Sequence, residues 1–204
     1  MLHNEILNTD QQQLLPLIST FKREYYLVGG TAIALYIGHR RSIDFDLFKY
    51  SDINHKKNID KISNFYSEYI ITRRVTEQMN LTVNNVKLTF FQYPFHINSL
   101  KTFENCFRMP SLIDLAAMKA YALGRRSKWK DYVDIYFLLV YYFSINEISK
   151  RADDIFGSMF SEKLFRAQLS YFQDIDYSEE VDYLMEPIKN DVIKSFLIEK
   201  AIAL

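Results

Sequence analysis

The sequence predicts an α+β fold, with a mixed sheet and helices on one side of it over residues 1–108 and a helical subdomain over residues 109–204. Three observations carry this expectation. Tyr25–Val28 and three further runs between Tyr69 and Tyr93 are short and apolar or alternating, as strands are. Apolar residues three and four apart recur before these runs and through most of the chain beyond Pro110, as in amphipathic helices. The chain has 204 residues, 49% of them hydrophobic, which suits one domain or a compact domain with a helical extension.

Taken in order, Asn4–Phe21 has helical spacing and leads into the strand at Tyr25. Gly29-Gly30 suits a sharp turn, and Thr31 is placed to N-cap a helix over Ala32–Tyr36. A second strand carries Asp44 and Asp46 on one face, with Ile43, Phe45 and Leu47 expected inward. Ile53–Ser67 reads as an amphipathic helix with Ile59, Ile62 and Phe65 or Tyr66 inward. Strands over Tyr69–Glu77, Met79–Val83 and Val86–Tyr93 follow, with Asn84-Asn85 as a hairpin turn. Pro110 suits a first helical turn, Ser111–Asp114 has capping-box spacing, and Gly124 is placed to end that helix. A second helix starts near Trp129. Ile148–Phe156, Ser161–Leu169, Val181–Met185 and Val192–Ala203 read as further helices, broken by Gly157, an acidic stretch and Pro187.

The chemistry sits in Tyr25–Phe48. Two carboxylates sharing one small volume resist joint ionisation and favour a cation between them. Carboxylate oxygens are hard ligands suited to Mg²⁺, which takes one or two protein carboxylates together with waters and substrate phosphates. A glycine turn opening a helix offers free amides and the positive end of a dipole to phosphate. Alone, each is commonplace: a solvated Asp-x-Asp, an ordinary strand-to-helix turn. Together they point to a nucleotide site. Further on, Lys119, Ala122 and Arg126 fall on one helical stripe, and Asp131 and Asp134 stand three apart on one face.

These residues resemble the nucleotidyltransferase toxins of the AbiEii/AbiGii type, within the DNA polymerase β-like nucleotidyltransferase superfamily. The resemblance rests on Gly29, Gly30 and Thr31, on Gly38-His39-Arg40, on Ser42, Asp44, Asp46, Leu47 and Phe48, and on a second block over residues 110–139. It implies a nucleotidyltransferase core and transfer of a nucleoside monophosphate from an NTP to an acceptor hydroxyl. It also implies Mg²⁺ or Mn²⁺ at Asp44 and Asp46, phosphate contacts from Gly29, Gly30, Thr31, Arg40, Ser42 and Lys119, and an acidic residue near the active centre. Asp131 is the first choice for that acid, accepting a proton or fixing Lys119; Asp134 is the alternative, or a buried partner of a basic residue. The implied setting is a toxin–antitoxin or phage-defence pair with an RNA or tRNA end as acceptor, though a protein or small-molecule acceptor also fits the group.

The pattern departs from the superfamily in one place. A third acid commonly stands on the later strand, where this chain reads Val86-Lys87-Leu88-Thr89-Phe90. Thr89 or Lys87 in that position implies weaker metal binding, reliance on substrate phosphates, rescue by Glu104 or Asp114, or lost catalysis. A catalytically degenerate nucleotide-binding module of the same fold is therefore the alternative function, and a helical interaction protein is a second.

Composition sets outer bounds. No stretch approaches eighteen uninterrupted apolar residues and no signal-peptide pattern opens the chain, so a membrane span or export is not expected. The single cysteine, Cys106, excludes an intrachain disulfide and a cysteine-based zinc cluster, and is expected buried in a reducing cytoplasm. Zero net charge conceals an asymmetry: residues 1–146 carry 18 Lys or Arg against 13 Asp or Glu, and residues 147–204 carry 7 against 12. The run Arg125, Arg126, Lys128, Lys130 is the densest basic stretch and suits a polyanion. Of the four histidines, only His39 is placed to touch substrate.

Overall fold

The computed structural model describes residues 2–103, 105–123, 125–126 and 128–203, without the side chains of Ser99 and Leu100. The expectations for Glu104 and Gly124 lie outside the described residues. The chain forms two compact units, Met1–Ser111 and Leu112–Leu204.

In the first unit, helix α1 (Thr9–Ser19) starts later than its spacing suggests. Asn8 accepts from the Gln11 amide at 2.8 Å and Gln11 returns the bond to the Asn8 amide, so a capping box separates α1 from a 3-10 turn at Asn4–Ile6. Strands β1 (Tyr26–Val28), β2 (Asp44–Lys49), β3 (Ile70–Val75), β4 (Gln78–Val83) and β5 (Val86–Gln92) form one mixed sheet in the order β1-β2-β5-β4-β3. Only β2 and β5 run parallel. The β4–β5 turn is Asn84-Asn85, as expected, with φ of 47° and 61°, the left-handed pair that a two-residue hairpin needs.

Period-two alternation gives this sheet two unlike faces. Phe45, Leu47, Met79, Leu81, Val86, Leu88 and Phe90 are each at most 1% exposed, and the rings of Phe21 and Tyr25 pack edge-on against Phe90 at 4.8 and 5.2 Å. Burying each such side chain contributes about 1.5–3 kcal/mol. The opposite face carries Asp44, Asp46, Thr89 and Asn80, all half-buried. Ile43, expected inward, precedes β2 and is 54% exposed. Helix α2 (Gly29–Ile37) follows β1 directly, and α3 (His55–Ser63) is capped by Asn54 and shorter than expected. Ile62 is buried and Phe65, beyond the helix end, is exposed.

A hairpin of β6 (Ser99–Phe103) and β7 (Phe107–Pro110) was not legible in the sequence. Its turn holds Asn105 at φ 61°, and the Phe103 and Phe107 rings stack at 4.9 Å across it. Pro110 ends β7 instead of opening a helix. Cys106, in the turn, is half-buried and not the core residue expected.

The second unit is helical: α4 (Leu112–Ala122), α5 (Trp129–Tyr141), α6 (Ile145–Phe156), α7 (Glu162–Leu169) and α8 (Asn190–Ile202). Ser144 and Glu147 form a capping box that starts α6. Tyr132, Val133, Ile135, Phe137, Leu138 and Ile148 are at most 1% exposed. Residues 181–185 are not helical: a five-residue apolar–acidic run between an acidic stretch and Pro187 is too short to repay helix nucleation.

Candidate active site

The segment from β1 to β2 folds back on itself. Because β1 and β2 are antiparallel with Val28 opposite Asp46, the residue after Val28 lies beside the Asp46 carboxylate. That residue is Gly29, at φ 75°, and a Cβ there would collide with Asp46 Oδ2. Only glycine fits both the backbone conformation and the space. A Cβ on Gly30 would come within 2.5 Å of Arg40 Nη2 and 3.4 Å of Ser42 Oγ. The glycine pair thus touches the acid on one side and the guanidinium on the other.

Thr31 is not the N-cap. Helix α2 begins at Gly29 with Val28 in the cap position, and Thr31 stands in the first turn. Its hydroxyl lies 2.8 Å from Ser42 Oγ and bonds the Asp44 carbonyl, which ties the helix start to the start of β2. The connection is short because Gly38, at φ 67°, ends α2 in the left-handed conformation. Arg40 is 3% exposed and donates from Nη1 to the Arg41 carbonyl at 2.9 Å. His39, expected at the substrate, is fully buried. Gly29, Gly30, Thr31, Arg40, Ser42, Asp44 and Asp46 are therefore gathered in one small region of the first unit.

The parallel β2–β5 register decides what faces the acids. Asp46 is opposite Thr89, and Asp44 is opposite the exposed Lys87. Among the described residues no group of three or more His, Cys, Asp or Glu is placed to hold a metal ion. Asp114, considered as a rescuing acid, is 2% exposed and accepts from Arg151 Nε at 2.6 Å. Two half-buried carboxylates on one strand face still fit a hard divalent cation that takes its remaining ligands from water and phosphate.

In the second unit, Lys119 of α4 is 4% exposed and sits between two acids of α5. Its Nζ lies 2.6 Å from Asp131 Oδ1 and 2.9 Å from Asp134 Oδ2. Arg126 closes the cluster, with Nε at 2.8 Å and Nη2 at 3.1 Å from the two Asp131 oxygens. Arg126 gets there after α4 has ended, not by continuing its stripe. Two cations and two anions leave the cluster neutral. Burial pushes the Asp131 carboxyl up, but the Lys119 ammonium and the Arg126 guanidinium outweigh it and hold the group below its ordinary 3.8. Such a carboxylate is a poor base near neutrality, so the geometry favours fixing Lys119 over accepting a proton. Asp131 is itself only 3% exposed; the solvent-facing member is Arg126, whose side chain is 49% exposed.

The rest of the basic run is engaged within the unit. Lys128 and Lys130 both pair with Glu179, and Arg125 stacks on the Tyr121 ring at 3.7 Å. Lys87 and Thr89, the two residues that the sequence offers on this strand beside the acids, are the ones that the parallel register sets opposite Asp44 and Asp46.

The family model for the AbiEii nucleotidyl transferase toxin, of the type IV toxin–antitoxin system, matches residues 17–194. The chain belongs to the AbiEii nucleotidyltransferase toxin family. Protein aq_aa25 of Aquifex aeolicus (strain VF5) is 28% identical over 181 residues, covering 85% of this chain and 84% of that protein. The crystal structure of JHP933 from Helicobacter pylori matches at a TM-score of 0.59 with 16% identity, over 98% of this chain and 92% of the other. MenT4, a nucleotidyltransferase toxin from Mycobacterium tuberculosis H37Rv, matches at 0.62 with 12% identity, over 94% and 80%. At such identities the structural likeness speaks for the fold. The AbiEii assignment makes the chain a nucleotidyltransferase toxin of a class that generally uses divalent metals, and implies an NTP substrate and an antitoxin partner. Among the described residues no helix is long and apolar enough to cross a membrane.

Proposed function

We propose that this AbiEii protein transfers a nucleoside monophosphate from an NTP to an acceptor hydroxyl, with an RNA end such as that of tRNA as acceptor, in the cytoplasm and under control of a cognate antitoxin. The observation that carries the reading is the close approach of Gly29, the first residue of α2, to the Asp46 carboxylate, where a helix start and a carboxylate pair share one site. Gly29, Gly30 and Thr31 present α2's first turn to the phosphates, with Arg40 and Ser42 beside it. Asp44 and Asp46 would hold Mg²⁺ or Mn²⁺, which would supply positive charge where negative charge builds on the departing pyrophosphate. The acceptor hydroxyl gives up its proton to solvent and its oxygen bonds to the α-phosphorus as the bond to pyrophosphate breaks. Lys119 is the proposed triphosphate ligand, and Asp131, with Asp134, orients it. Substituting Asp44 or Asp46 by Asn tests the reading: loss of labelled-nucleotide transfer to RNA with the fold retained is the expected result, and unchanged transfer would refute it.

One observation favours a second reading, a nucleotide-binding module without turnover: Thr89 and Lys87 face the two acids where a third acid commonly stands. Calorimetric NTP binding with Mg²⁺ in the absence of any transfer would select it.

A further inference from the structure

The buried face of β2 ends in a charge. Lys49 follows Phe45 and Leu47 in the strand's alternation and is 7% exposed. Its Nζ lies 5.0 Å from the centre of the Tyr25 ring. Among the described residues no acceptor lies within hydrogen-bond reach of that ammonium. A lysine whose stem is buried and whose ammonium has no protein acceptor relies on water or on a bound anion.

Its neighbours are also cationic. Lys57 and Lys61 project from α3 and both grip Glu24, at 2.8 and 3.0 Å, and Lys61 lies over the Phe21 ring at 4.9 Å. The Lys49 ammonium feels Glu24, Lys57, Asp52 and Lys61, and burial holds it below its ordinary value. Asp52 is exposed and accepts from Gln92 at 2.9 Å. Glu24 is shared by two lysines and Asp52 is the second acid, so three ammoniums meet two carboxylates and the cluster carries a net +1. A phosphate or phosphomonoester carries about −1.5 to −2 at neutral pH and offers three acceptor oxygens. It more than neutralises the cluster and offers one acceptor oxygen for each ammonium, whereas a single carboxylate offers only two.

We propose that Lys49 over the Tyr25 ring, Lys61 over the Phe21 ring and Lys57, which shares Glu24 with Lys61, form a second anion site that binds a dianionic phosphoryl group. The site is separate from the Asp pair: Lys49 points to the opposite face of β2 and is three residues, about 10 Å, along the strand from Asp46. Phosphate supplies the acceptors that Lys49 lacks and bridges β2 to α3.

The test is site-resolved amide NMR of the full chain, titrated with inorganic phosphate, with AMP and with chloride at matched ionic strength. Phosphate is expected to shift the amides of Glu24, Lys49, Lys57 and Lys61 beyond the chloride control. Equal affinity for AMP marks the bare phosphoryl group as the ligand, and tighter AMP binding marks a nucleotide-borne one; both support the site. Lys49→Met is expected to weaken binding there by about tenfold or more, the loss of a charge-assisted bond. The surface double variant Lys57→Ala/Lys61→Ala repeats the test if Lys49→Met fails to fold. Shifts confined to Gly29–Thr31, shifts no larger than with chloride, or unchanged affinity in a folded variant would overturn the proposal. None of these results bears on transfer at Asp44 and Asp46.

Discussion

Replacing Lys119 by Met keeps the stem and removes the charge between Asp131 and Asp134. Lys119 is 4% exposed and its partners are 3% and 0% exposed, so water cannot replace the ammonium without opening α4 from α5. Removing one partner of a buried pair costs about 3–5 kcal/mol. Against the roughly 5–15 kcal/mol that holds a typical protein folded, this is a large fraction. At about 2–4 °C per kcal/mol for a chain of this size, the melting temperature should fall by roughly 6–20 °C. Urea unfolding followed by circular dichroism gives the free energy directly. Adding Asp134→Asn to Lys119→Met should recover about 0.5–3 kcal/mol through coupling between neighbours. A Lys119→Met protein melting within about 1 °C of wild type would refute the reasoning. The same arithmetic warns that lost activity in a Lys119 variant reports on phosphate binding only when its fold has been verified.

Asp131 adds a pH dependence. Its folded pKa is depressed, so its stabilisation is fully present above the ordinary value of 3.8 and is lost as pH falls through the folded pKa. Urea midpoints measured from pH 7 down to pH 2 should show wild type losing its advantage over Asp131→Asn only in that acid range; an advantage lost between pH 5 and 7 would contradict the assignment. Gly29→Ala forces a side chain into φ 75° and against Asp46, costing about 1–2 kcal/mol of stability by denaturant titration and abolishing transfer. Thr31→Val removes the bonds to Ser42 and the Asp44 carbonyl and should cost about 1–3 kcal/mol by the same titration. Thr89→Asp adds a third acid opposite Asp46; Mn²⁺ affinity by electron paramagnetic resonance should tighten roughly tenfold, since ligand charge count sets affinity at oxygen sites.

The parts of this structure legible in the sequence are those written in local periodicity. The Asp44–Asp46 alternation and the Asn84-Asn85 turn each follow from a few adjacent residues and both are present, whereas the glycine pair, expected as a turn ahead of the helix, forms the first turn of α2 itself. The α5 acids were legible as a pair for the same reason. What sequence spacing could not give was the partner chosen by tertiary packing. Nothing local says that Thr31 reaches back to Ser42, that Arg126 leaves its helical stripe yet still meets Asp131, or that Asp114 is taken by Arg151. The β6–β7 hairpin was hidden because its strands are short and held by a ring stack that no alternation announces. Lys49 was legible in principle: the period that puts Asp44 and Asp46 on one face puts position 49 with Phe45 and Leu47 on the other.

The central claim is that the Asp44–Asp46 site moves a nucleoside monophosphate. Its most direct test incubates the protein with RNA and each NTP carrying label either at the α- or at the γ-phosphorus. Transfer predicts α-label in the acceptor, γ-label released in pyrophosphate, and neither product from Asp46→Asn. Incorporation of γ-label, or of no label with any NTP and any divalent metal, would contradict it.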